Sequence, residues 1–393
     1  MTRYLNKFII IFTAVLMLYF LIVIFSFDKK TILINEIGEI TKLSQKSLIK
    51  PKICEPKVFE VNLSKNLIYF FENCKLKEII PIAYQGPEGK WYQTPTGYFR
   101  VGIKKEKHIS SLFSVYMNYA VQMYEDFFIH EIPYYLNGQP VTSNFSGGCI
   151  RLTKENAIKF YKLTNPGDLI ISYKELDPNK FKNYLYPPIN LKEFYIRQRF
   201  NNPIRVKWEN ATNPENRKND YIQHAGLDLA PLQDARDLNV YSIYDGEVVK
   251  IVENGKDDHG LGNSVIIKLD NSICNFEKEL CKNINELYVL YGHLENINVD
   301  IKEGQKIKKG YVIGKIGATG YGCNYWRIGE DGCDKKSPLD KHLHLEIKIK
   351  PVLESPIEAL CYVNGEYKNC FGYAPDNPEK FGYVNPMKFL FRD

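Results

Sequence analysis

Five of the chain's seven histidines fall in its C-terminal half, and four of these sit in short motifs beside acids or beside each other. In "HAGLD", His224 and Asp228 stand four positions apart; "YGHL" carries His293; "HLHLE" holds His342 and His344. Residues at alternate positions of a strand project from the same face, so His342 and His344 can meet a common target. Imidazole and carboxylate donors in this number suit zinc, whose catalytic sites keep three protein ligands and one open position. The histidines left over can then assist hydrolysis of an amide. A second reactive group lies upstream. In "SNFSGGCIRL", Ser143 to Leu152, two glycines run into Cys149. A thiol attacks a carbonyl as thiolate and needs a base or positive surroundings. Small residues before it let backbone N–H groups approach a developing oxyanion. His130, in the apolar stretch "FFIHEI", is a natural base near neutral pH. On these residues alone, a reactive thiol and a buried structural cysteine beside a packed strand histidine are equally good readings.

The elements that must carry these groups are mostly strands. From Val58, "VFEVNLSKNLIYFF" alternates apolar and polar residues, the mark of half-buried strands. "TPTGYFRVGI" reads as turn then strand, and "NPGDLIISY" turns into another. Between them "TKENAIKFYKLT" is the clearest helix, with Thr153 placed to cap it. Together these predict a β-rich domain over 55–176. Residues 177–203 read as a connector, with Pro178, Pro187, Pro188 and Pro203 and aromatics between them that predict packing rather than a free linker. From 204 to 393 a second strand-rich region begins with "VYSIYDGEVVKIV", "NSVIIKL", "ELYVLYGHL" and "HLHLEIKI". His108 and His259 read as surface or loop residues.

Two family resemblances sharpen this reading. Residues 58–173, through "VNLSKNLIYFF", "TPTGYFRV", "MNYAVQM", "FFIHE" and "SGGCIRL", resemble the L,D-transpeptidase domain that remodels bacterial peptidoglycan. The resemblance implies Cys149 as nucleophile and His130 as base. It implies an oxyanion hole from the backbone around Gly148 and Cys149, with Ser146 and Arg151 shaping the site. The chain departs from that pattern at Gly147, where many members have histidine, and at Glu131, where many have glycine. Residues 221–350 resemble the lysostaphin-type zinc endopeptidases, through "HAGLDLA", "YDGEVV", "GLGNSVIIKL", "LYGHL", "VDIKEGQKIKKGYVIGKIGATG" and "HLHLEI". That resemblance implies zinc on His224, Asp228 and His344, with His293 and His342 as catalytic partners, on an antiparallel sheet. An insertion carrying Cys323 and Cys333 separates Gly320 from His342.

The remainder of the sequence bears on compartment. Phe8 to Phe27 holds no charge, and about 20 apolar residues of helix cross a bilayer. A cleaved signal peptide is the alternative, but no small-residue cleavage site follows, so an uncleaved anchor is expected at 8–27, with 1–7 as a cytoplasmic stub and 28–54 as a tether. Arg3 and Lys7 precede the span, although Lys29 and Lys30 follow it and weaken the bias. Of nine cysteines, eight form local pairs, Cys54/Cys74, Cys274/Cys281, Cys323/Cys333 and Cys361/Cys370, which read as disulfides of an exported chain and leave Cys149 over. The net charge of +6 is too diffuse to argue for nucleic acid. The expected protein is mainly β, held in a bacterial inner membrane by one helix, with both domains in the periplasm and peptidoglycan stem peptides as substrate. The expected chemistry is zinc endopeptidase cleavage plus cysteine transpeptidation. Alternatives are a cysteine domain acting as carboxypeptidase or amidase, and a non-catalytic peptidoglycan-binding activator of other hydrolases.

Overall fold

A computed structural model of the chain describes residues 49–110, 113–205, 221–253, 260–284, 286–320, 338–349, 360–363, 366–369 and 371–392. The apolar stretch Phe8–Phe27 lies outside the described residues, as do His259, Cys323, Cys333, Cys370 and the side chain of Cys361. Among the described residues, no helix is long and apolar enough to cross a membrane. Both reactive regions lie in one compact unit, Lys52–Asp393.

That unit is mainly β. Among the described residues, fifteen strands form one sheet. Its main path starts in the C-terminal half with Lys306–Ile307, Gly246–Val252, Asn263–Leu269, Tyr288–Ile297, Leu343–Lys348 and Leu227–Pro231. It passes through Phe194–Gln198 and continues into the N-terminal half with Leu169–Glu175, Lys57–Asn62, Leu67–Glu72 and Lys75–Pro81. Neighbours along the path are antiparallel, except that Lys57–Asn62 runs parallel to Leu169–Glu175. The segment 177–203 therefore supplies a strand common to both halves. Ile196 and Tyr195 face Lys174 and Glu175 on one side, and the same strand pairs with Asp228–Pro231 on the other. Tyr195 is buried in one cluster with Val58, Tyr98 and Tyr173 from the first half and Ala230 from the second.

The strand Lys57–Asn62 departs from the expected half-buried alternation: from Val58 to Asn62 every residue is buried. Both of its faces are covered. Phe59 and Val61 enter the core beneath the helix Lys154–Leu163, and Val58 enters the cluster around Tyr195. Parallel pairing and burial on both faces go together in this way. The helix is where the sequence places it. Thr153 Oγ1 accepts from Asn156 N–H at 3.4 Å, and the buried Phe160 ring meets Phe59 edge-on.

A second, five-stranded sheet positions the thiol. Lys104–Ser110, Val115–Tyr124 and Phe127–Glu131 are antiparallel in turn, and Ile150–Leu152 lies parallel to Phe127–Glu131. Cys54–Cys74 and Cys274–Cys281 are disulfides, and Cys149 is in no disulfide among the described residues.

Candidate active sites

The first site gathers on three strands. Asp228 pairs with His344 across the Leu227–Pro231 and Leu343–Lys348 ladder, and His224 sits at the end of Tyr221–His224. His224 Nε2, His344 Nδ1 and Asp228 Oδ1 form a triangle with sides of 3.1, 2.9 and 3.2 Å. All three residues are buried. Tetrahedral zinc with bonds of about 2.0–2.1 Å sets its ligand atoms roughly 3.3 Å apart, so this donor set fits zinc in chemistry and in spacing. The outer partners fit as well. His224 Nδ1–H donates to the Arg199 carbonyl at 2.9 Å, and His344 Nε2–H donates to Glu346 Oε1 at 3.0 Å. Each bond turns the other ring nitrogen, as an acceptor, toward the centre. Lys348 Nζ lies 3.1 Å from the far oxygen of Glu346. Gly226 makes room for this packing, since a Cβ there would come within 2.6 Å of the His344 ring.

His293 and His342 stand beside the triangle. Their ring centroids are 4.8 Å apart, and His293 is 5.7 Å from His344. His293 adopts φ +58°, left-handed for a non-glycine residue, where the pairing of Tyr288–Ile297 with Asn263–Leu269 shifts register between Tyr291 and Leu294. Such strain gathers at functional positions, where the surrounding structure holds it. Its Nδ1–H donates to the Thr319 carbonyl at 2.8 Å. His342 Nε2 lies 3.5 Å from Asp228 Oδ2, and its Nδ1 sits 2.6 Å from both the Asp340 carbonyl and the Arg197 guanidinium. Burial lowers the pKa of both imidazoles, that of His293 to about 3, against the opposing pull of Asp228. Both are neutral near pH 7 and able to accept a proton. At His344 burial also opposes the charge, but Asp228 and Glu346 prevail and raise it to about 9.

The second site lies on the five-stranded sheet. The parallel register sets His130 against Arg151, and Cys149 stands two residues before Arg151 on the same side. His130, Ser146, Cys149 and Arg151 line one cavity of about 230 Å³ with Ser143, Phe145 and Tyr135 at its wall. Phe128 N–H donates to Cys149 Sγ at 3.4 Å, and the thiol donates to the Asp126 carbonyl at 3.7 Å. The Arg151 charge interacts with Cys149. Arg151 Nη1 is anchored on the Ser143 carbonyl at 2.8 Å. The turn before the thiol is tightly specified. Gly148 has φ +100°, and a Cβ on it would lie 2.2 Å from the Phe127 ring. Thr94 Oγ1 donates to the Gly148 carbonyl at 2.9 Å, and Ser146 Oγ donates to the Cys149 carbonyl at 2.5 Å. Both carbonyls are thus tied down by hydroxyl groups.

His130 is buried with Nδ1 on the Glu131 carbonyl. Burial is the main cause that lowers its pKa from 6.5 to about 4, and Arg151 adds to it. Between pH 6.5 and 4 the unfolded chain therefore takes up a proton that the folded chain refuses. Stability from this group is present above pH 6.5 and is lost as pH falls toward 4, by ~3 kcal/mol. Urea unfolding at pH 7 and pH 4 is expected to show this loss, and His130→Gln to show a smaller one.

Sequence reading missed several partners. Arg197 and Arg199 come from the segment read as a connector, Thr94 from a turn read only as leading into a strand, and Gly86 from a stretch left unread. None of the four carries a motif. His108 is half-buried rather than a surface residue: its ring stacks on Phe128 at 5.0 Å. Tyr373, beside His224 at 5.6 Å, also went unread.

Residues 56–171 match the family model of the L,D-transpeptidase catalytic domain, and residues 222–356 match that of peptidase family M23. Among solved structures, the chain is similar to an L,D-transpeptidase from Stackebrandtia nassauensis at 22% identity. That match covers 31% of this chain and 58% of the other, with a TM-score of 0.27. A fused zinc-dependent amidase/peptidase/peptidoglycan-binding protein from Clostridium acetobutylicum matches at 27% identity over 30% of this chain and 52% of the other, TM-score 0.26. A mutant catalytic domain of the prophage-encoded M23 protein EnpA from Enterococcus faecalis matches at 22% identity over 37% and 75%, TM-score 0.22. The chain spans less than two thirds of the first two structures. No curated protein matches it.

Proposed function

We propose that this protein remodels bacterial peptidoglycan with two activities, cutting stem-peptide cross-links at the zinc site and forming new ones at Cys149. The observation that carries this reading is that two complete sets of reactive groups occur in one compact unit: the His224–Asp228–His344 triangle with two neutral histidines beside it, and the Cys149 thiol, in no disulfide, sharing a cavity with His130. The two family matches point to the same polymer.

Zinc held by His224, Asp228 and His344 would supply Lewis acidity toward an amide carbonyl. His342 and His293, neutral at pH 7, take the proton released as water adds, and deliver one to the departing amine. Asp228 Oδ2 steadies His342 at Nε2. At the other site Cys149 adds to the carbonyl before a terminal residue of a stem peptide while His130 takes its proton. The C–N bond breaks, the amine leaves with that proton, and a thioester remains. A side-chain amine from a neighbouring stem then attacks the thioester, gives its proton to His130, and restores the thiol.

Membrane anchoring through 8–27 and residence in the periplasm belong to the same proposal, supported by the apolar span and by two disulfides. Gly147, where many transpeptidases have histidine, supports a second reading in which water takes the acyl group. Defined cross-linked muropeptides, digested with and without zinc and resolved by mass, test the proposal. Zinc-dependent loss of one cross-link with gain of another supports it. Shortened stems without a new link make the cysteine site a hydrolase. Binding without any product makes the protein an activator.

A further inference from the structure

Besides the shared strand, the two reactive regions meet at a seam formed by residues 93–96 of the first half and 199–202 of the second. Gln93 Nε2 donates to the carbonyls of Phe200 and Asn201, at 3.1 and 2.6 Å. Thr96 N–H donates to Asn202 Oδ1 at 2.8 Å, and Asn202 Nδ2 returns a bond to the Thr96 carbonyl at 3.0 Å. These groups are all buried, and Gln93 and Thr94 have no exposure at all. Buried hydrogen bonds of this kind fix geometry, because any shift leaves a polar group unpaired.

Arg199 stands at the middle of the seam. Its N–H donates to Thr96 Oγ1 at 2.9 Å, and its guanidinium Nη2 donates to the Thr94 carbonyl. Its own carbonyl accepts the His224 Nδ1–H bond that aims Nε2 into the metal triangle. On the other side, Thr94 Oγ1 accepts from Gly86 N–H at 2.8 Å and donates to the Gly148 carbonyl. Gly148 immediately precedes the thiol. A continuous run of buried hydrogen bonds thus joins a metal ligand to the turn that carries Cys149, and one residue lies on both arms.

We propose that Arg199 is a positioning residue shared by the two sites: its carbonyl sets the His224 imidazole, and its guanidinium sets, through Thr94, the turn before Cys149. The proposal rests on Cys149 and the metal triangle being the reactive groups of the protein. Its test needs no substrate, so it is decided even if no muropeptide product forms.

The full-length protein is compared with Arg199→Met, which keeps an unbranched side chain but removes the guanidinium, and with Thr94→Val and Thr94→Ser. Two quantities are read: the rate of Cys149 alkylation by iodoacetamide, and zinc affinity by competition with a chromophoric chelator. Arg199→Met is expected to slow alkylation at least fivefold. It is also expected to weaken zinc binding about tenfold, the scale on which outer partners of a metal ligand act. Thr94→Val should slow alkylation to a similar degree without changing zinc affinity, because it touches one arm only. Thr94→Ser should restore the rate. The double variant Arg199→Met/Thr94→Val should be no slower than the slower single, since both break one path. Arg199→Met with either quantity within twofold of the parent overturns the shared role. So do two effects on the alkylation rate that multiply in the double variant. If Arg199→Met does not fold, the threonine pair decides: a Thr94→Val protein that alkylates at the parent rate overturns the proposal.

Discussion

Asp228→Ala is expected to empty the zinc site and bring zinc-dependent amide cleavage to background. Asp228 Oδ1 is one corner of a triangle whose sides are all near 3 Å, and without it two imidazole nitrogens remain. Outer partners of metal ligands are worth about 10–100-fold in affinity, and loss of a direct ligand should exceed that range. The carboxylate also faces His342 Nε2 with its second oxygen, so the change removes a proton-transfer partner together with a ligand. His342→Ala offers the contrast. It leaves the triangle whole, and should retain zinc while losing turnover on the scale of a general base, about 10²–10⁴-fold. Zinc content after dialysis, measured beside muropeptide cleavage, separates the two cases. A His342→Ala protein without metal, next to a His344→Ala protein that keeps it, would reverse the roles assigned here.

Cys149→Ala should abolish every covalent acyl intermediate and leave zinc-dependent cleavage within about twofold of the parent. The thiol is the bond-forming atom, and Ser146, three residues before it, spends its hydroxyl on the Cys149 carbonyl. Alanine gives up the sulfur's two long hydrogen bonds but keeps the Gly148 conformation and the Thr94 bond that hold the backbone of the turn. The seam through Arg199 is therefore undisturbed, and the metal site should not register the change. Intact-protein mass after incubation with a tetrapeptide stem reports the first half of this expectation, and cleavage by the same preparation reports the second. An acyl adduct on the variant would sink the assignment of the nucleophile.

What the sequence disclosed and what it hid follow one physical line. The His224–Asp228–His344 triangle was legible because a metal site asks for particular residue types on particular strand faces, and "HAGLD" and "HLHLE" state both. Cys149 was legible in part. The two glycines before it mark a turn that only glycine can make at Gly148, but a turn does not reveal its supports. Thr94, Gly86 and Arg199 support it by hydrogen bonds across residues far apart in sequence, and such bonds leave no periodic trace. The strand Phe194–Gln198 was hidden for a related reason. It lies among prolines that mark a loop, and its aromatic residues signalled packing without naming the partner. The covered second face of Lys57–Asn62 was hidden too, because alternation reports the polarity of side chains and not what is stacked upon them.

The strand common to both halves bears on how such a chain can be inherited. A deletion that removed either half would strip one neighbour from Phe194–Gln198 and leave a row of backbone donors and acceptors open along its edge. An open edge of this kind invites pairing with other chains and aggregation. A lineage that dispensed with one reaction is therefore expected to do so by substitution at Cys149 or at the metal triangle, keeping the disused half as scaffold for the other.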